Sequence, residues 1–198
     1  MKGNGSTTIA ARRTRSRAAA AESAAAGEPC PICRESHPES DAAALRGLAE
    51  TPRSLERLLR GLSEKSFDWN YGPGKWSIRQ VVCHLRDCEL NFSVRWRKLV
   101  SEPDPVLGAF EQDDWARETR YAKQNSKGAL AAFLALRAAN LEMLKLAGAP
   151  AYGRTGTHPS YGRMSVRHIF RHVLYHDRKH LDQIAVARRA KRNHGAWK

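Results

Sequence analysis

The chain has 198 residues and a formal net charge of +14, room for one domain of ~150 residues plus a tail. No apolar run approaches the ~18 residues of a membrane span. The four cysteines (Cys30, Cys33, Cys83, Cys88) show neither a secretory signal nor small-domain disulfide spacing, so a cytoplasmic location is expected. From Arg163 to Lys198 ten Lys/Arg face two acids. No aromatic residues interleave the run Arg188-Arg189-Ala190-Lys191-Arg192 as base-stacking platforms would. A solvated helix end is expected there rather than a nucleic-acid site.

In chain order, residues 1–40 read as a disordered Ala/Arg/Ser-rich leader, with too few large apolar residues to offset the entropy of ordering. Inside it, Cys30-Pro31-Ile32-Cys33 and His37 have the look of a zinc knuckle. A structural zinc site wants four ligands, and no partner pair follows, so the sequence speaks against one.

The folded part is expected over 41–190, with 191–198 a basic tail. Thr51-Pro52 reads as a helix start, with Leu55, Leu58, Leu59 and Leu62 on its apolar face. The next helix has the clearest signal: Ser77 and Gln80 form a capping box, and Trp76 and Val81 are placed for a hydrophobic staple. It is expected to run to about residue 100. His84, Cys88, Asn91 and Arg95 form a polar track at 4-3-4 spacing beside its core stripe, and such a track on a buried face implies a cavity or a ligand.

Residues 102–125 make a long, aromatic-bearing connection (Phe110, Trp115, Tyr121) of the kind that lines sites. A third helix is expected over 126–147, ended by Gly148 and Pro150. A Gly-rich loop over 152–162 carries His158. The fourth helix starts at Ser165 and is expected to reach about residue 189.

That last helix carries His168, His172, His176 and His180. At ~100° per residue such a row drifts ~40° per step. With Val173 at the centre of the buried face, His180 lies ~20° away, His176 ~60°, His172 ~100° and His168 ~140°. His176 and His180 therefore face inward, His172 is marginal and His168 is expected to face solvent. Four such helices suggest an all-α bundle, where metal sites form from inward side chains on facing helices. His84 is the natural third ligand, and an all-histidine set suits transition metals over Mg²⁺ or Ca²⁺.

The stretch Gly74-Lys75-Trp76-Ser77-Ile78-Arg79-Gln80-Val81-Val82-Cys83-His84-Leu85-Arg86-Asp87, the Asn91/Arg95 pair, the Phe110/Trp115 linker and the closing His176-x-x-x-His180-x-x-Gln183 together resemble the DinB-like superfamily. The nearest branch is the YfiT-like metal-dependent hydrolases, related to the bacillithiol S-transferases. The resemblance covers about 51–189 and implies an antiparallel four-helix bundle with a divalent metal on His84, His176 and His180. Cys88 has no place in that pattern, and His172 matches no ligand position.

Three neutral histidines leave an ion its full charge and an open position, the arrangement of a catalytic site. Zinc or nickel is the expected ion, activating water or a low-molecular-weight thiol toward a small-molecule substrate. Arg95 and Asn91 are the candidate substrate-binding residues, Arg95 for a carboxylate. Asp87 is the candidate to orient a ligand imidazole. No catalytic base is assignable. The competing expectation is a non-catalytic, damage- or stress-associated metal-binding bundle, and a homodimer is compatible with the resemblance.

Overall fold

The computed structural model describes residues 29–195, with side chains through Lys191. Residues 1–28 of the leader expected over 1–40, and the last three residues of the basic tail, lie outside the described residues. The described residues form five helices and one hairpin: α1 (Asp41–Leu59), α2 (Ile78–Ser101), α3 (Gln112–Glu118), α4 (Ser126–Tyr152), β1 (Thr155–His158), β2 (Gly162–Ser165) and α5 (Val166–Gly195). Two short 3-10 turns, Glu64–Asp68 and Tyr121–Lys123, sit in the connections. None of the helices is long and apolar enough to cross a membrane.

α1, α2, α4 and α5 form the four-helix bundle. Its apolar interior divides into two clusters. One holds Leu48, Phe92, Trp96, Leu99, Leu144 and Phe170; the other holds Leu55, Leu85, Phe133 and Ile184. Following each helix from one cluster to the other gives its direction: α1 and α5 run one way, α2 and α4 the other. α1 packs on α5, α2 packs on α4, and the two pairs lie antiparallel against each other. This order explains the long connection after α2. α2 ends at one end of the bundle and α4 begins at the other, so residues 102–125 must travel its length, whereas the links α1–α2 and α4–α5 join neighbouring ends.

Local signals account for most of the boundaries. Ser77 caps α2 in a full capping box with Gln80, and Trp76 packs in the same cluster as Val81. Gly148 (φ 71°) breaks the regular run of α4, and Pro150 lies in the short turn beyond it. Two expectations need correction. The first helix starts at Asp41, capped by Ser40, and Pro52 lies inside it. A proline has no N–H for the carbonyl four residues back; that carbonyl, Leu48 O, accepts instead from Arg137 Nη1 at 3.1 Å. The Gly-rich loop over 152–162 is a β-hairpin, paired Thr155 with Ser165 through His158 with Gly162. β1 is also bridged to Val106 of the crossing connection. α5 runs on to Gly195, into the expected tail.

The chain is already folded before Asp41. From Pro29 it makes a reversal bridged at Pro29 and Ser36, with Cys30 and His37 buried. Ile32 packs against the first apolar cluster. Residues 29–40, expected within the disordered leader, are ordered instead, because this segment finds its burial on α5 rather than within itself.

Between the two apolar clusters lies a buried charged layer. Arg137 of α4 is 1% exposed. It donates to Glu89 of α2 (2.7 and 2.9 Å), to Asp177 of α5 (2.7 and 3.3 Å) and to the Leu48 carbonyl of α1, so one guanidinium touches all four bundle helices. Asn140 fills the other Glu89 oxygen at 2.7 Å. Such a cluster survives burial because every charge has both a counter-charge and hydrogen bonds.

Candidate metal centre

The capped start of α2 directs His84 into the bundle one and a half turns later, and α5 brings His176 and His180 to meet it. His84 Nε2 lies 2.9 Å from His176 Nε2, and His180 Nε2 lies 3.1 Å from the same atom. The three rings are mutually tilted, with centroids 4.4 to 5.0 Å apart. The structure thus brings together the three histidines selected from the sequence.

A divalent ion suits this arrangement on chemical grounds. A neutral imidazole nitrogen carries either one proton or one lone pair, so His176 Nε2 has a hydrogen bond to offer or accept from one neighbour only, yet it has two. Protonation does not relieve the crowding. Burial, together with His180, holds His84 down at about 3; burial and the surrounding imidazoles hold His176 well below its usual range; burial also lowers His180. His84 and His180 both bring Nε2 up to His176 Nε2, and these two spacings lie near the ~3.3 Å edge of a tetrahedron with Zn–N of 2.0–2.1 Å. His176 Nδ1 is buried and has no hydrogen-bond partner among the described residues.

The surroundings differ from the sequence expectation in informative ways. Asp87 does not orient a ligand: its Oδ2 accepts from Tyr121 at 2.6 Å and its Oδ1 from Arg86 at 2.7 Å, because its side chain points toward the crossing connection. The orienting partner is Gln183, whose Oε1 is 2.9 Å from His180 Nδ1. It stands three residues after His180, on the same helical face. Cys88, which had no assigned place, lies under the triad with Sγ 3.4 Å from His84 Nε2 and 3.8 Å from His176 Nε2. Potential ligand atoms of His84, Cys88 and His176 all lie within 4.8 Å of one another, and His180 joins through His176. Burial, followed by Asp177 and Asp87, pushes the Cys88 thiol far up, so without an ion it is a thiol.

His84 and His176 open into a cavity of about 300 Å³. Arg95, Phe92, Phe110, His158 and Ile32 are among its walls. Arg95 is 4% exposed; it donates to the Gly108 carbonyl at 2.6 and 3.1 Å and lies 3.2 Å from His158 Nε2, with Phe92 and Phe110 over its guanidinium. Among the described residues no salt bridge reaches it, and burial pushes its pKa down. A buried cation held by a carbonyl and aromatic faces is a ready partner for an anion. Asn91, expected beside it, does not line the cavity; its Nδ2 donates to the Asp87 carbonyl at 3.3 Å, back along its own helix. His158 went unassigned in the sequence because only the hairpin brings it to Arg95.

The two remaining histidines of α5 also depart from the helical-wheel expectation. His172 is buried under the N-terminal segment and lines the same cavity. His168 is half-buried: its Nδ1 accepts from Ser165 N–H at 3.3 Å and its own N–H donates to Ser165 Oγ at 3.1 Å, closing the start of α5.

The family model of the DinB superfamily matches residues 48–184. A protein of Oceanobacillus iheyensis named "Putative metal-dependent hydrolase" is 26% identical over 137 residues, covering 69% of this chain and 79% of that protein. A Bacillus mycoides protein of the same name is 29% identical over 72 residues, covering 36% of this chain and 42% of its own. Among solved structures, YfiT from Bacillus subtilis, described as having an unusual four-helix bundle topology, superposes with a TM-score of 0.69 at 22% identity, over 79% of this chain and 90% of YfiT. A shared fold, a matching family model and relatives named for metal dependence converge: this chain belongs to the DinB superfamily.

Proposed function

We propose that this protein is a metal-dependent enzyme that directs an activated nucleophile at a small anionic molecule, with zinc or nickel held by His84, His176 and His180. The observation that carries this reading is one cavity whose walls hold His84 and His176, two of the three converging imidazoles, together with the buried guanidinium of Arg95. When bound, such an ion supplies a Lewis acid that brings the pKa of a water or a thiol toward neutrality.

The chain supplies the rest. Gln183 fixes the tautomer and tilt of His180. Arg95 grips the substrate's carboxylate or phosphate group, its stem pinned by Gly108 so that the charge is already aimed. Phe92 and Phe110 exclude water and strengthen that contact. Hydrolysis follows the naming of the relatives. Thiol transfer is the second reading, favoured by one observation: Asp87 is occupied by Tyr121 and Arg86, and the carboxylates that line the cavity, Glu111 and Asp113, come from the loop and the start of α3 rather than from the helices that carry the histidines. Hydrolysis needs a group to take a proton from water, a demand that a pre-ionised thiolate does not make.

The test is metal analysis coupled to turnover. The His84→Ala/His176→Ala variant is expected to lose one equivalent of bound metal and all activity on a panel of esters, amides and thiol–electrophile pairs. Metal content unchanged in that variant refutes the site. Wild-type protein with full metal and no turnover on either half of the panel above the stripped control refutes the enzyme and leaves a metal-binding bundle.

A further inference from the structure

A second cluster of ligating side chains lies outside the triad. Cys30, Cys33 and His37 come from the N-terminal reversal, and the fourth member, His172, comes from α5, well over a hundred residues away. One ligand atom from each lies within 4.8 Å of all the others. Cys30 Sγ is 3.5 Å from His172 Nδ1, and Cys33 Sγ is 3.2 Å from His37 Nε2. A tetrahedral zinc ion with Zn–S of 2.3 Å and Zn–N of 2.0–2.1 Å has S···N edges of ~3.6 Å. The two spacings match that edge to within a few tenths of an ångström.

The backbone is shaped for the same purpose. Cys30 N–H donates to Glu35 O at 2.9 Å, and Arg34 N–H donates to Cys30 O at 2.8 Å. Arg34 takes the left-handed conformation, φ 65°, that closes the reversal. Burial favours the neutral Cys30 thiol, and the amides of Ile32 and Cys33, which point back at its sulfur, work the other way as donors to a thiolate. Both cysteines are free thiols. Cys30, His37 and His172 are all less than one-tenth exposed. In isolation the segment has three ligands and no reason to be ordered; docked on α5 it has four.

We infer that Cys30, Cys33, His37 and His172 form a structural Zn²⁺ site, separate from the His84/His176/His180 centre, that staples the N-terminal segment to the last bundle helix. Two thiolates and two imidazoles make a closed, four-ligand set with no position left for substrate, the donor set and count of a structural zinc. The ion supplies what this segment lacks, since it has few apolar residues and its ion pairs to α5, such as Arg178 with Glu39 and Lys179 with Glu35, lie at or near the surface. The staple also shapes the catalytic cavity. Ile32, one of the two residues between the cysteines, forms part of the wall, and His172 sits one turn before His176, with ring centroids 6.1 Å apart.

The experiment uses full-length protein purified under reducing conditions, stripped with a chelator and titrated with Co²⁺. Because Cys88 lies at the other centre, the titration is made in a Cys88→Ser background, where thiolate-to-cobalt charge-transfer absorption reports Cys30 and Cys33. The band is expected to saturate within two equivalents, the other ion going to the triad, to saturate at one equivalent when His84→Ala/His176→Ala is added, and to vanish with Cys30→Ser/Cys33→Ser. Absence of the band in the Cys88→Ser background, or its survival in the Cys30→Ser/Cys33→Ser variant, overturns the inference. Should the latter variant fail to fold by circular dichroism, differential alkylation of wild-type protein decides. Zinc-loaded Cys30 and Cys33 are expected to react with iodoacetamide at least about tenfold more slowly than in chelator; equal rates, or a Cys30–Cys33 disulfide, overturn it.

Discussion

Arg137 Nη1 donates to Asp177 Oδ2 at 2.7 Å, one residue beyond His176. The pair joins the bundle's central clamp to the helix that carries two of the three converging histidines, so the register of α5 at the metal centre is set by a buried ion pair rather than by apolar packing alone. Apolar contacts tolerate sliding; a guanidinium held by Glu89, Asp177 and the Leu48 carbonyl does not.

Removing the clamp tests this directly. Arg137→Leu leaves Glu89 and Asp177 buried without their counter-charge, and is expected to cost about 3–5 kcal/mol of stability. Chemical denaturation measures the loss. A variant within about 0.5 kcal/mol of wild type, the range of an ordinary surface change, would show that the clamp does not order the bundle.

Gln183 provides a milder test on the site itself. Among the described residues its side chain meets one hydrogen-bond partner, His180 Nδ1 at 2.9 Å. Gln183→Leu should leave the fold intact and weaken metal affinity about 10–100-fold, the usual effect of losing a group that orients a ligand imidazole. Competition with a chromophoric chelator reads the affinity. An unchanged value would mean that packing alone holds the ring.

Much of the site was legible in the sequence, and the gaps have physical causes. His84, His176 and His180 could be found because helical periodicity fixes which side chains point inward. The capping box located the start of α2 to the residue. Periodicity carries no information about partners from outside the helix, which is why Cys88 and Gln183 were left without roles and His172 was read as marginal. His172 is buried because a segment near the other end of the chain covers that flank. Pro52 misled for a related reason: its effect on the backbone is local, but the carbonyl it leaves free is satisfied by Arg137 from α4. Asp87 was chosen by sequence proximity to His84, and the crossing connection claimed it first.

The buried histidines make the metal-free protein acid-sensitive. An unfolded imidazole takes a proton near pH 6.5. The fold resists the same proton down to about 3 at His84, from burial and His180, and to about 4 at His172, from burial and His37. Below pH 6.5 the unfolded state therefore binds more protons, and stability falls as the pH drops through that window. Each such group steepens the slope by up to ~1.4 kcal/mol per pH unit. Urea unfolding of chelator-treated protein should be pH-independent with respect to these groups above about 7 and should weaken steadily toward pH 4. His84→Leu should flatten the profile; an equally steep one would place the acid sensitivity elsewhere.

The last prediction concerns how the hairpin positions the anion-binding wall. A Cβ on Gly156 would stand 2.5 Å from the Pro105 carbonyl oxygen and 2.9 Å from Pro105 Cγ. Only glycine lets β1 lie this close to the crossing connection, where Thr157 N–H donates to Pro105 O and Leu107 N–H donates to Thr157 O, both at 2.9 Å. These two bonds hold His158, the next residue, against Arg95. Gly156→Ala must push the hairpin off, at about 1–3 kcal/mol for an overpacked contact. Because the hairpin borders the cavity without touching the triad's ligand nitrogens, metal content should stay at the wild-type level while KM for an anionic substrate rises. Metal analysis beside steady-state kinetics separates the two effects. Loss of metal in Gly156→Ala would show that the hairpin supports the histidines themselves, and an unchanged KM would remove His158 and its strand from the substrate wall.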